Sequence, residues 1–188
     1  MGTMNEAVEG VYEYWQIQRQ GKTTLMVRDM LRLNEFYGVD WTRFHCNFRV
    51  FIDGVNCYSS QGLLERMVRA MDTKERNLVF VFDELGQFLG ARNYADRFQT
   101  KVANDLWQFP KRDLVFLYSD NVGLSADKTI RLATWESIFP KYHQGGTRQE
   151  DYIVASVIKN YMNMTVTGIV IPYVYLFQNL FDTREPID

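Results

Sequence analysis

Short apolar segments alternate with longer amphipathic segments along most of this chain. Five of the apolar segments have the length of β-strands, and we predict strands at 10–16, 47–52, 77–82 and 113–118, with a fifth inside 165–177. The run Leu-Val-Phe-Val-Phe at 78–82 has no polar break, which is typical of a central strand buried on both faces. This alternation predicts an α/β fold with a mainly parallel central sheet of about five or more strands, flanked by helices on both faces.

Between the strands, apolar residues recur every three or four positions and predict helices. The first helix follows a glycine turn, carries Met26, Met30 and Leu33 on one side, and ends at Gly38. Three further helices are predicted at 63–71, 98–109 and 153–161. The segment 121–146 is the least regular, so we expect a functional loop there, and the apolar segment 169–177 is interpreted as a buried strand.

A phosphate-binding motif lies between the first strand and the first helix. The residues are Arg19, Gln20, Gly21, Lys22, Thr23 and Thr24. Backbone N–H groups at such a turn, together with the helix dipole, bind phosphate oxygens. We expect Lys22 to reach the β and γ phosphates and the Thr23 hydroxyl to bind Mg²⁺. The full signature has glycine at the position of Gln16, so the match covers its second half, and the alternative is an accidental Gly-Lys-Thr-Thr at a helix start.

Two carboxylates follow the most apolar strand, about sixty residues after Lys22. They are Asp83 and Glu84, and the end of a central parallel strand lies beside the phosphate loop. We expect Asp83 to hold Mg²⁺ and Glu84 to act on the attacking water. Residues 83–86 also fit the D-x-x-G pattern of GTPases, but no N-K-x-D motif follows, so the sequence favours ATP. A P-loop NTPase of the RecA-like type is the predicted fold.

Composition narrows the function without defining it. The 188 residues form one predicted domain, 1–188, with a net charge of -2 from 21 basic and 23 acidic residues. This balance excludes a strongly basic nucleic-acid coat protein, so any nucleic-acid contact must be local. The cysteines and histidines lack zinc-ligand spacing, and no apolar run has the roughly 18 residues of a membrane span. We therefore expect no stable membrane insertion and a location in the cytoplasm.

These motifs resemble those of the FtsK-HerA-like ATPases of viruses and mobile elements. That class includes genome-packaging ATPases of tailless viruses and zonula-occludens-toxin-like proteins of filamentous phages, and the likeness covers about 15–186. The resemblance implies a polar sensor of the γ phosphate after the fourth strand, which falls on Asn121, with Ser119 as the alternative. It also implies functional basic residues near Arg112 and Arg131, acting either as an arginine finger or on DNA phosphates, although each could equally be a surface or ion-paired arginine.

The leading hypothesis is ATP hydrolysis that drives translocation of double-stranded DNA, as in viral genome packaging. The resemblance implies a homo-oligomeric ring, pentameric or hexameric, in the host cytoplasm, associated with virions through a capsid vertex protein. The alternative is an ATP-dependent assembly or secretion switch without translocase activity. A small-molecule kinase, for which Thr147 and Arg148 give slight support, is the third hypothesis.

Overall fold

The computed structural model describes residues 10–52, 55–56, 62–89, 97–122, 126, 128–160 and 164–183. Within these residues the strands are β1 (Gly10–Trp15), β2 (Phe44–Cys46), β3 (Arg49–Ile52), β4 (Val55–Asn56), β5 (Leu78–Phe82), β6 (Leu114–Asp120), β7 (Glu136–His143), β8 (Tyr152–Lys159), β9 (Met164–Ile171) and β10 (Phe181–Asp182). The helices are α1 (Lys22–Tyr37), α2 (Leu63–Asp72), α3 (Arg97–Leu106), α4 (Lys128–Leu132) and α5 (Val174–Gln178).

A seven-stranded sheet forms the centre of the molecule, in the order β2-β5-β6-β1-β7-β8-β9. Strands β2, β5, β6, β1 and β7 are parallel, and β8 and β9 extend the sheet as antiparallel neighbours. A small second sheet has the order β10-β3-β4. The predicted α/β class with a mainly parallel sheet is confirmed.

Helices cover both faces of this sheet. On one face α1 buries Met26, Met30 and Leu33 against the β1 side chains Tyr12 and Tyr14. Side chains of this size each contribute roughly 1.5–3 kcal/mol when removed from water, which fixes α1 on the sheet. On the opposite face α2, α3 and α4 pack on β5 and β6. The helices predicted after the glycine turn, at 63–71 and at 98–109, are confirmed, although α3 ends at Leu106 and a short 3-10 turn, Phe109–Arg112, follows it.

The end of α1 shows how the sequence sets a helix boundary. Gly38 has a left-handed backbone, with φ 68, and the chain leaves the helix there as predicted. The Val39 N–H then donates to the Leu33 carbonyl at 3.2 Å, which satisfies an orphan acceptor of the last turn. Both the apolar face of α1 and the glycine that ends this helix are therefore as the sequence predicted.

The helix predicted at 153–161 is wrong, because residues 153–159 belong to strand β8, while residue 161 lies outside the described residues. Its buried side chains are Ile153, Ala155 and Val157, so the period is two rather than three to four. The sequence has β-branched residues at adjacent positions, which satisfy both periods, and β-branched side chains favour the extended strand. Pairing with β7 on one side and β9 on the other decides the outcome.

Three other predictions need correction. The segment 47–52 does not supply the second strand of the central sheet; that strand is the shorter β2, and β3 belongs to the small sheet. The irregular loop expected at 121–146 contains α4 and β7, and β7 pairs in parallel with β1. The segment 169–177 is not a buried strand: β9 is an antiparallel edge strand that ends at Ile171, Val170 is 63% exposed, and α5 follows.

The topology brings the carboxyl ends of three central strands together. β6 lies between β5 and β1, with Phe82 opposite Tyr118 and Trp15 opposite Asp120. The residues that follow β1 and β5 therefore meet at one sheet edge, where ligands bind in open α/β sheets.

Candidate functional site

The turn between β1 and α1 reverses the chain at two left-handed residues, Arg19 with φ 62 and Gly21 with φ 89. A side chain at Gly21 would be strained by this backbone and would also meet the Ile153 Cδ1 atom. No side chain caps the start of α1, so the first-turn amides remain available where Gly21, Lys22, Thr23 and Thr24 line a cleft. This is the arrangement that binds phosphate oxygens.

Gln16 contributes its backbone to this turn. The Lys22 ammonium Nζ donates to the Gln16 carbonyl oxygen at 2.7 Å. A carbonyl is common to every residue, and the left-handed positions fall at Arg19 and Gly21 instead. The turn therefore forms with glutamine where the complete signature has glycine.

Lys22 is almost entirely buried, at 8% exposure. Burial lowers the pKa of its ammonium group, while the carboxylates of Asp83, Glu84 and Asp120 oppose that change. The site thus holds a basic side chain among acids at the floor of the cleft. A polyanion bound there would replace the water that Lys22 has lost.

The Asp83 carboxylate is the centre of the site. Its Oδ1 atom accepts hydrogen bonds from Thr23 Oγ1 at 3.0 Å and from Ser119 Oγ at 2.8 Å. Burial raises the pKa of Asp83, and the bonds from Ser119 and Thr23 and the charge of Lys22 oppose that rise. Hydroxyl oxygens from α1 and β6 and a carboxylate that follows β5 converge here, and this donor set suits the hard cation Mg²⁺.

Glu84 has an unusual backbone, with φ 55 and ψ 55. Its N–H donates to Ser119 Oγ at 2.8 Å, and its carboxylate accepts a hydrogen bond from the Gln87 amide. Burial, followed by the Asp83 charge, raises the pKa of Glu84. A left-handed non-glycine residue costs about 1–3 kcal/mol, and such residues cluster at functional sites.

Asn47 was not singled out by sequence reasoning, and it lies just after β2. Its Oδ1 accepts the Asp83 N–H at 2.7 Å, and its Nδ2 donates to the Asp83 carbonyl at 3.0 Å. Its own N–H donates to the Val81 carbonyl at 3.3 Å. Asn47 therefore fixes the backbone at which β5 ends. A lone asparagine after a three-residue strand gives no sequence signal of that role.

The cleft at this sheet edge has a volume of about 510 Å³. One side, next to the predicted phosphate-binding turn and here called the phosphate side, is lined by Gln18, Arg19, Gly21, Lys22, Thr23, Thr24, Asp83 and Glu84. The opposite side, here called the far side, is lined by Tyr142, Gln144, Gln178, Phe181 and Thr183. Gln20 connects the two sides, because its Oε1 accepts the Tyr142 N–H at 3.0 Å. The far side contains residues that the sequence did not predict.

The other predicted site residues do not line the cleft. Asn121 follows the end of β6, and its N–H donates to Asp120 Oδ1 at 3.1 Å, whereas the residue of β6 that contacts Asp83 is Ser119. Arg112 donates to the Met71 carbonyl at 3.4 Å. These placements leave the sensor role of Asn121 and the arginine roles as predictions.

Arg131 lies away from the cleft, beside a buried acid. Its Nε donates to Glu13 Oε2 at 3.0 Å, and its guanidinium stacks 4.9 Å from the ring centroid of Trp15. Glu13 is 2% exposed and also accepts from Tyr118 OH at 2.8 Å and from Ser137 Oγ at 3.2 Å. The alternative reading of Arg131 as an ion-paired arginine matches this contact.

The fold is shared with known structures. The N-terminal domain of zonular occludens toxin from Neisseria meningitidis has a TM-score of 0.62 and 12% identity, covering 94% of this chain and 100% of that one. The genome packaging NTPase of Sulfolobus turreted icosahedral virus 2, in complex with ATPγS, has a TM-score of 0.58 and 8% identity, with coverage of 87% and 97%. The chain has the fold of the P-loop NTPases. The predicted fold, and the resemblance to viral P-loop ATPases as a likeness of fold, are confirmed.

The flagellar accessory protein FlaH from Methanocaldococcus jannaschii has the same fold, with a TM-score of 0.56, 12% identity and coverage of 90% and 88%. No family model matches the sequence, and no curated protein matches it. Among the described residues, no helix is both long enough and apolar enough to cross a membrane.

Proposed function

We propose that this protein binds ATP with Mg²⁺ and hydrolyses it to drive translocation of double-stranded DNA. One observation carries the proposal: Thr23 at the start of α1 and Asp83 at the end of β5 are joined by a hydrogen bond of 3.0 Å, beside Lys22 and Glu84. Motif residues that are sixty positions apart in the chain thus form one oxygen-rich pocket at a helix N-terminus.

The residues divide the chemistry between them. The amides of the turn and Lys22 bind the phosphates and orient the γ phosphate. Thr23 and Asp83 are the oxygen donors that would hold Mg²⁺, which when bound neutralises charge on the phosphates. Glu84 orients the attacking water and takes its proton as the oxygen bonds to the γ phosphorus and ADP leaves. Ser119, which contacts the Asp83 carboxylate and the Glu84 backbone N–H, is the better sensor candidate than Asn121 on these contacts.

The DNA step rests on analogy with a similar structure. One of the similar structures is a genome packaging NTPase, and we propose by analogy a pentameric or hexameric homo-oligomeric ring recruited by a capsid vertex protein. A ring lets subunits grip DNA in turn, which one small domain cannot do alone. Arg112 is the preferred trans-acting or DNA-contacting arginine, because Arg131 already has a buried partner.

A second candidate function is an ATP-dependent assembly or secretion switch without translocase activity. One similar structure is a flagellar accessory protein, FlaH, over 90% of this chain, and this analogy favours a role without DNA translocation. A switch needs the same nucleotide pocket but no stimulation by DNA. The two candidates therefore differ in one measurable property.

The decisive experiment measures ATP turnover with and without duplex DNA for the wild type, Lys22→Ala and Glu84→Gln. A motor gives turnover that rises with duplex DNA, and both substitutions lower it by roughly 10²-fold or more. Turnover that ignores DNA supports the switch. Turnover that survives both substitutions would show that the active site lies elsewhere. Glu35→Gln, an exposed acid of α1, is the matched control and should retain full activity.

A further inference from the structure

The cleft is larger and chemically more varied than a phosphate site needs. Its far side is formed by the end of β7, the end of α5 and the β10 region, none of which belongs to the phosphate motif. The side chains there are Tyr142, Gln144, Gln178, Phe181 and Thr183. On the basis of the proposed function, we infer that this far side binds the nucleoside part of the nucleotide, that is, its base and ribose.

The chemistry of the far side fits a neutral aromatic ligand. The lining side chains are aromatic, amide or hydroxyl groups without formal charge, whereas the phosphate side holds Lys22, Asp83 and Glu84. Aromatic rings can pack on the face of a base. Glutamine amides offer both a donor and an acceptor, which can pair with the polar edge of a base or with ribose hydroxyls.

The far side is held in place by contacts that reach the phosphate loop. Tyr142 donates its N–H to Gln20 Oε1 at 3.0 Å and its phenol to Asp151 Oδ2 at 2.6 Å. Gln178 Nε2 donates to the Tyr142 phenol oxygen at 3.4 Å. Phe181 packs edge-to-face on Phe48, with ring centroids 6.3 Å apart. These contacts preform the site, so a ligand would find it at little ordering cost.

The size of the cleft agrees with this assignment. Its volume of about 510 Å³ lies in the usual range of small-molecule sites, roughly 300–1,000 Å³. The phosphate loop fixes one end of the ligand at Lys22 and Thr23. A triphosphate bound there leaves its nucleoside next to the uncharged residues of the far side.

Binding measurements with two probes test the inference. The first probe is the ATP analogue in which a methylene group joins the β and γ phosphorus atoms, and the second is inorganic tripolyphosphate, both with Mg²⁺ in titration calorimetry. Gln144→Ala and Gln178→Ala should each weaken the analogue about threefold to tenfold, the effect of one lost hydrogen bond. Neither should change the affinity for tripolyphosphate, which lacks a nucleoside.

Two further variants sharpen the test. Phe181→Leu keeps an apolar side chain against Phe48 but removes the ring, and should weaken the analogue selectively. Gln149→Ala, an exposed glutamine outside the cleft, is the matched control and should bind both probes as the wild type does. The glutamine variants decide the question even if Phe181→Leu is unstable.

The possible outcomes distinguish a failure of the nucleoside site from a failure of the proposed function. A wild type that binds tripolyphosphate as tightly as the analogue, or glutamine variants that weaken both probes equally or neither, would overturn the nucleoside site alone. A wild type that binds neither probe would overturn the proposed function and this site together. Selective loss of the analogue supports both.

Discussion

Two acidic clusters, one around Glu13 and one around Asp83 and Glu84, lie on opposite faces of the central sheet, and they are neutralised to very different degrees. In the first, Glu13 has an arginine partner and two hydroxyl donors. In the second, Asp83 receives two hydroxyl donors, while Lys22, the nearest basic group, bonds to a backbone carbonyl. A saturated carboxylate has little left to offer a ligand, whereas an unsaturated group of acids and a lysine can bind a metal and phosphates.

Strand β6 shows how one element serves both clusters. Successive side chains of a strand point to opposite faces. Tyr118 therefore reaches Glu13 on one face, and Ser119 reaches Asp83 on the other. A site for chemistry and a site for stability can be built one residue apart. We therefore propose that the Glu13 cluster serves stability and the Asp83 cluster serves chemistry, and each proposal can be tested by substitution.

The largest effect on stability is expected from Arg131→Ala. This change leaves the Glu13 carboxylate buried without its cation, and we expect a loss of about 3 kcal/mol in the free energy of unfolding, measured by urea denaturation. The value is at the low end for such pairs because the Arg131 side chain is 38% exposed. ATP turnover per folded molecule should be unchanged.

Arg76→Ala is the matched control for that experiment. Arg76 pairs with Asp113 at 3.3 Å, but both side chains are well exposed, so the loss should be only about 0.2–1 kcal/mol. If Arg131→Ala instead abolished DNA-stimulated turnover with little loss of stability, Arg131 would be a finger or DNA contact. The division between the two clusters would then fail.

A smaller effect, on the Asp83 cluster, is expected from Asn47→Ala. The substitution removes both bonds from the amide to the Asp83 backbone, so the Asp83 and Glu84 carboxylates lose their fixed position. We expect turnover per folded molecule to fall roughly tenfold, because small misplacements of catalytic groups are costly. The rate constant at saturating ATP, corrected for the folded fraction, is the measurement.

The control for Asn47 is another amide that bonds to a backbone carbonyl. Asn34 Nδ2 donates to the Val39 carbonyl at 2.9 Å, at the far end of α1. Asn34→Ala should cost about 0.5–1.5 kcal/mol of stability without changing turnover. Equal turnover in the two variants would reduce Asn47 to a purely structural residue.

Local sequence patterns were sufficient to single out most of the residues that line the phosphate side of the cleft. Gly21 and Lys22 are adjacent in the phosphate-binding motif, and Asp83 directly follows an unbroken apolar strand. Each can therefore be recognised from its neighbours in the sequence. The parallel orientation of the central strands, but not their order in the sheet, was also predicted from their alternation with helices. Both predictions depend on interactions within one secondary-structure element or between two neighbouring elements.

The remaining features depend on contacts between distant residues. Glu13 and Arg131 are 118 positions apart, so the sequence did not reveal the partner of Arg131, and the role of this arginine remained open. Strand β8 has a pattern that fits either period, and only its neighbours β7 and β9 select the extended form. Tyr142 and Gln178 join the cleft through tertiary packing, which leaves no local signal.

The smallest expected effect concerns Asp120, which lies between the two clusters at the end of β6. Its oxygens accept N–H groups from Asn121 and Ala126, and burial, with the Glu13 charge as a further cause, raises its pKa to about 6. A raised pKa means that the folded state holds the proton more tightly than the unfolded state. The stability from this group is therefore fully present below the unfolded-state pKa of 3.8 and is lost as pH rises through about 6.

Asp120→Asn tests this linkage, because an amide does not ionise in that interval. We expect the wild type to lose on the order of 1 kcal/mol through Asp120 between pH 4.5 and 6.5, and the variant to lose less. The slope should not vanish, because burial also raises the pKa of Asp83 and of Glu84 and gives the same sign. Urea denaturation at several pH values supplies the slope. An unchanged slope would show that Asp120 is already ionised throughout this interval in the folded state, so that its pKa is not raised.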